Sequence, residues 1–235
     1  MRVERERYFQ ELGYLELSAL YAGPLKPAAL ARWTVAPRGA LGLVAPFSLT
    51  HRAAPIAPKL WPHDATTGEF RDGPHARTAI AALAAAIAAL GASRAVFRSP
   101  DGFSPSAANR DQLRRFFAEV APREALGGAD RVWLPGGLWE VRSAAKLAAE
   151  LDVCFAFDPL VREPGVPPEV HEDLEAPRIY LRPENAGRTG TLRPERIDDL
   201  AMLVEHYEDR PLVIAFATPE RWADARNLRK LLDAR

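Results

Sequence analysis

Apolar residues recur along this chain with two different periods, and the switches between them outline its elements. Runs rich in β-branched and aromatic residues predict strands over residues 14–17, 41–45, 95–98, 131–134, 153–158, 179–182 and 212–217. Between them, alanine- and leucine-rich stretches with helical spacing predict helices over 4–12, 27–33, 76–90, 110–120, 141–151, 194–207 and 220–232. Several helix ends carry signals of their own. Thr218 before Pro219 predicts an N-cap, Arg193-Pro194-Glu195 an N-terminus with an acidic first turn, and Gly13 and Gly91 left-handed C-caps. Regular alternation of strand and helix argues for a parallel sheet with crossover helices. We therefore expect one α/β domain over residues 1–235, with seven visible strands in a parallel sheet joined by crossover helices.

The less regular stretches, 52–75, 99–109 and 159–176, are rich in Pro, Gly and Asp, and each follows a predicted strand. In a barrel that end surrounds the binding site. Polar residues at these strand ends are the first functional candidates: Glu16, Ser18, His51, Arg98, Asp158 and Arg182. Alternation places Glu16 and Ser18 on the face opposite Leu15 and Leu17.

Composition narrows the chemistry. The 235 residues are 48% hydrophobic and carry 31 acidic and 31 basic side chains, which removes the electrostatic footprint of a general nucleic-acid binder. Lysine occurs only at positions 26, 59, 146 and 230, so most basic groups are guanidiniums, suited to carboxylate or phosphate. The longest apolar run, residues 79–90, is mostly alanine and too short to span a bilayer. Alternating charge in Arg2-Val3-Glu4-Arg5-Glu6-Arg7 is unlike a signal peptide, and a cytoplasmic location is expected. Cys154 is the single cysteine and lies in an apolar run, where it is expected to be a small buried hydrophobe. His51, His63, Asp64, His75, Asp101 and Asp158 are metal-ligand types, but no pair has the tight spacing of a zinc motif, and no metal or other cofactor is assigned. Glycine pairs at 127–128 and 136–137 form no nucleotide fingerprint, although Gly136-Gly137 precedes a helix whose N–H groups suit a phosphate. Trp61 lies on a loop, where packing is favoured over covering a ligand.

With the strands placed, the order of landmarks resembles the YecE-like family, known as domain of unknown function 72. The resemblance runs through Leu15-Glu16-Leu17-Ser18, Leu20-Tyr21, Trp33, Thr50-His51, Val96-Phe97-Arg98-Ser99-Pro100, Trp139, Asp158 and Tyr180-Leu181-Arg182-Pro183-Glu184-Asn185. It implies a TIM-type barrel and adds Tyr21, Trp139 and Tyr180 to the ligand-binding set. Departures are equally specific. The family's lysine falls among Val44-Ala45-Pro46, its Glu-x-Arg on Trp133-Leu134-Pro135, its histidine on Glu184 and its asparagine pair on Ala217-Thr218. The first helix, through Arg5, Tyr8, Phe9 and Leu12, stands where the resemblance implies a preceding strand.

These readings give a pocket for a small anionic molecule at the strand ends, with hydrolase or isomerase chemistry. Glu16, His51 and Asp158 are its acid–base candidates, and Ser18, Tyr21, Arg98, Trp139, Tyr180 and Arg182 its ligand contacts. A non-catalytic binding or assembly module is the alternative, its strand ends held by ion pairs of Glu16 with Arg182 and of Asp158 with Arg98. A barrel short of one strand exposes sheet edges, so a homodimer is expected in either case.

Overall fold

All seven predicted strands form, each within three residues of its expected ends: β1 (Leu15–Leu17), β2 (Leu41–Val44), β3 (Arg94–Arg98), β4 (Asp130–Leu134), β5 (Cys154–Phe157), β6 (Ile179–Leu181) and β7 (Leu212–Ile214). The structure is a computed structural model that describes residues 5–52, 61–161, 171–172, 174–184 and 189–235. Expectations for Glu4, Lys59, Leu60 and Asn185 lie outside the described residues. The chain divides into two units, Met1–Trp139 with Glu150–Val153, and Glu140–Ala149 with Cys154–Arg235.

In the first unit β1, β2, β3 and β4 pair in chain order, all parallel. The register Leu17↔Leu43 and Leu43↔Ala95, and along β3 Phe97↔Trp133, gathers the apolar residues onto one face. Phe97 on that face meets Phe116 and Phe117 edge-on at 5.6 and 5.4 Å, and Phe70 and Phe103 extend the same cluster. The opposite face carries Glu16, Gly42, Arg94, Val96 and Arg98.

The helices of this unit are α1 (Arg5–Glu11), α2 (Ala19–Ala22), α3 (Pro27–Ala31), α4 (Phe47–Thr50), α5 (Pro74–Leu90) and α6 (Ala107–Arg115). Buried positions on α5 are Ala76, Ala79, Ile80, Leu83, Ala86, Ile87 and Leu90, one stripe of helical period. Gly91 closes α5 at φ 59°, as expected, whereas Gly13 is absent from the left-handed positions. The helix predicted over 110–120 changes character at Phe116, where a π-helical turn, Phe116–Val120, replaces the α-helix. Two four-residue helices, α2 and α4, follow β1 and β2 directly and are too short for a periodic signal.

The second unit pairs β5, β6 and β7, again parallel and in chain order. Its helices are α7 (Val141–Glu150, whose last residue falls in the first unit), α8 (Pro194–His206) and α9 (Arg221–Asp233). Leu192, Ile197, Leu200, Ala201 and Leu228 form its core, with Ile214 and Phe216 packed against them. Thr218 does not cap α9. Its hydroxyl donates to Asp224 Oδ2 at 2.5 Å, while Asp224 Oδ1 accepts from the Leu192 N–H at 2.8 Å, so a buried carboxylate ties the first turn of α9 to the segment before α8. Within the described residues, no helix is long and apolar enough to cross a membrane.

Candidate functional site

Three strand ends of the first unit bring together the best-supported group. The chain leaves β1 into α2, which carries Tyr21, and leaves β2 into α4, which is followed by His51. β3 ends on Arg98, and the turn beyond it holds Asp101. Tyr21 and His51 rings lie edge-to-face at 5.8 Å. His51 Nδ1 is 2.7 Å from Thr50 Oγ1, which leaves Nε2 as the nitrogen available for chemistry. Donation by Thr50 makes Nε2 an N–H donor, and acceptance by Thr50 makes it a base.

Electrostatics couples these groups. Burial, and then the Arg98 guanidinium, holds the His51 imidazolium below its ordinary pKa of 6.5, against an opposing pull from Asp101. Burial also raises the Tyr21 phenol, with Arg98 opposing. At neutral pH the group is therefore a neutral imidazole and a neutral phenol, with the imidazole in the opposing fields of Arg98 and Asp101.

Close backbone approaches hold the surrounding turns. Gly68, at φ +84°, lies where a Cβ would overlap the His51 carbonyl, and Glu69 N–H donates to Thr50 O at 3.0 Å. Gly136 and Gly137 pack on the 99–101 turn; a Cβ on Gly136 would stand 2.6 Å from Ser99 O, and one on Gly137 would overlap the Asp101 carbonyl. These glycines serve chain packing. The phosphate reading of the following helix is also answered, since Glu140 accepts from Arg142 N–H at 3.0 Å and Ser143 N–H at 2.9 Å and occupies the helix N-terminus with its own carboxylate.

Other sequence candidates are placed differently. Glu16 is the middle residue of the three-residue β1, and its register row runs through Gly42 to Arg94, the first residue of β3, four residues or about 13 Å of strand before Arg98. Ser18 is exposed at the start of α2 and makes no side-chain cap bond. Trp139 is 4% exposed, meets Trp133 edge-on at 4.9 Å and donates to Phe103 O at 2.6 Å. Trp61 is buried and donates to Leu20 O at 3.1 Å, the packing role expected of it. No metal-binding group of three or more ligands occurs among the described residues.

In the second unit, Asp158 and Arg182 follow β5 and β6 on the face that also holds Tyr180, which is fully buried. Asp158 Oδ1 accepts from Leu160 N–H at 2.9 Å and Oδ2 from Glu184 N–H at 3.0 Å, while Arg182 pairs with the Glu184 carboxylate. Glu184 was missed as a functional candidate because its role depends on the turn after β6. Burial raises the Asp158 carboxyl to about 6, outweighing the Leu160 N–H and the charges of Arg182 and Arg196.

The sign of that shift gives a prediction. Between the ordinary value of 3.8 and about 6, the folded chain holds a proton that the unfolded chain has lost, so stability falls as pH rises through this window and is level above it. The full shift corresponds to about 3 kcal/mol, reduced by the partial exposure of Asp158. Urea unfolding of wild type and Asp158→Asn at two pH values measures it: the wild type gains on the variant by about 1–3 kcal/mol on going from pH 7.5 to 4. A pH-independent difference contradicts the assignment.

No protein-family model and no curated protein matches the chain. Solved structures do. A DUF72 family protein from Enterococcus faecalis V583 superposes with a TM-score of 0.66 at 13% identity, covering 99% of this chain and 89% of the neighbour. A DUF72 family protein from Thermotoga maritima MSB8 gives a TM-score of 0.63 at 14% identity, with 99% and 91% covered. The chain thus shares their fold: α/β, with seven parallel strands among its described residues in the succession of a TIM-type barrel, one fewer than the usual eight.

Proposed function

We propose that this protein is a divergent DUF72 member that binds a small anionic molecule at the strand ends of its first unit. Arg98 is the electrostatic anchor, Tyr21 donates a hydrogen bond, and His51 contributes Nε2 as hydrogen-bond partner and as acid–base group for a hydrolysis or isomerisation. The observation that carries this reading is the convergence of Tyr21, His51 and Arg98 from the ends of β1, β2 and β3, with the Tyr21 and His51 rings 5.8 Å apart and Arg98 acting on both. Burial, and then the positive field of Arg98, holds the imidazole neutral, and an anion offsets that field, so binding and proton uptake at His51 favour one another.

Calorimetric titration with inorganic phosphate and with succinate, at low and constant ionic strength, tests the binding. The wild type binds at least one of them, and Arg98→Gln weakens it by about tenfold or more. Equal affinity in the two proteins overturns the proposal. Turnover of phosphate or carboxylate esters that is lost in His51→Gln supports the catalytic part.

A second reading, a binding or assembly module without catalysis, is favoured by the second unit. Both Asp158 oxygens accept backbone N–H groups, and Arg182 pairs with Glu184. β7, last in the strand order, keeps Leu212, Val213 and Ile214 partly exposed, which supports a homodimer covering that edge. A monomeric mass by light scattering contradicts the dimer.

A further inference from the structure

We propose that a groove on the first unit, of about 470 Å³, binds a small zwitterion of the α-amino-acid class. Arg71 and Asp72 line one side; Gln112, Arg115, Phe116 and Glu119 line the other. None of Tyr21, His51, Arg98 or Asp101 takes part, so the groove stands apart from the strand-end constellation.

Two backbone irregularities converge on it. Gly68, Glu69 and Phe70 have consecutive positive φ values of 84°, 51° and 59°, and Arg71 and Asp72 emerge from that bend. Conformations of this kind persist in non-glycine residues where surrounding structure enforces them. The enforcing contacts are the fully buried Phe70 ring and the Gln112 side-chain amide, which donates to Phe70 O at 2.6 Å. Opposite lies the π-helical turn, with Ala121 N–H donating to Phe116 O at 2.8 Å across five residues. Such turns are rare in ordinary helices and concentrate at functional sites.

The π turn also alters the charge pattern. Arg115 and Glu119 are four apart, a spacing that sets opposite charges side by side on an α-helix. Here they line the same groove without forming an ion pair. Arg115 instead meets Gln112 Oε1 at 3.4 Å, and no carboxylate among the described residues lies within ion-pair distance of it. Glu119 is felt electrostatically by Arg77, which is itself paired with Asp72 at 2.7 Å. A guanidinium and a carboxylate that share one groove without pairing with each other complement a carboxylate and an ammonium on one molecule.

Saturation-transfer NMR with L-leucine, using N-acetyl-leucine and leucinamide as controls, tests the assignment. Leucine at about 5 mM receives magnetisation from the wild type, each control receives markedly less, and Arg115→Gln or Glu119→Gln weakens the response by about fivefold. Both substituted side chains are exposed, and circular dichroism confirms that the variants fold. Absence of transfer to leucine, equal transfer to either control, or an unchanged response in both variants overturns the proposal.

Discussion

Arg131→Ala is expected to unfold at a temperature about 10 °C below the wild type. Arg131 is 8% exposed and lies on the helix-facing side of β4. Its Nη1 donates to Phe117 O at 2.9 Å, and its Nη2 donates to Leu151 O at 3.3 Å and Asp152 O at 2.9 Å. These carbonyls belong to the π turn and to the residues just after α7, where helix ends leave acceptors unsatisfied and the dipole favours a cation. The guanidinium also sits 5.9 Å from the Phe117 ring centroid. Removing it strands the buried Phe117 carbonyl, frees the partly buried Leu151 and Asp152 carbonyls and opens a cavity, together worth about 3–5 kcal/mol, and at about 2–4 °C per kcal/mol for a chain of this size the midpoint falls as stated. Arg131→Lys recovers little, because an ammonium on a shorter reach cannot span carbonyls from two segments. A midpoint within 3 °C of wild type in thermal denaturation of Arg131→Ala contradicts this role.

Gly137→Ala is the second large effect, and it reaches the candidate site. Gly137 has φ +66°, a conformation that costs an L-residue about 1–2 kcal/mol, and its new Cβ would overlap the Asp101 carbonyl, which is backbone and cannot rotate away. Together they predict a loss of at least about 3 kcal/mol, or a displaced 99–103 turn. Displacement removes the Asp101 charge that opposes Arg98 at His51, so the His51 pKa falls further. Gly102→Ala, in the same turn, is the control: a Cβ there meets nothing within 4 Å, and stability changes by less than about 0.5 kcal/mol. Wild-type stability and an unshifted His51 in Gly137→Ala contradict the account of this turn.

The strands were legible because seven short β-branched or aromatic runs alternate with helical stretches, and each such run pairs with its chain neighbour inside its unit. Where pattern alone fell short, the deciding contact is distant in sequence. Glu16 alternates correctly with Leu15 and Leu17, but only its register through Gly42 to Arg94 shows that its row lies four residues before Arg98 at the end of β3. Phe116-Phe117-Ala118-Glu119-Val120 has helical composition, and nothing local distinguishes a π turn from an α turn. Arg131 is one guanidinium among many in the sequence, and its burial becomes visible only with the carbonyls that surround it. Asp101 and Glu184 act through turns whose conformation depends on Gly136, Gly137 and Asp158. His51 and Arg98 were legible as strand-end residues, and the fold supplies their common electrostatic setting.

The most direct test is an NMR titration of the His51 ring in wild type and Arg98→Gln, each with and without saturating inorganic phosphate or succinate. The account predicts a wild-type pKa below 6.5 that rises when the anion binds, and a pKa in Arg98→Gln that is already higher and no longer responds. A His51 pKa indifferent to both anions, or an anion response that survives Arg98→Gln, contradicts it.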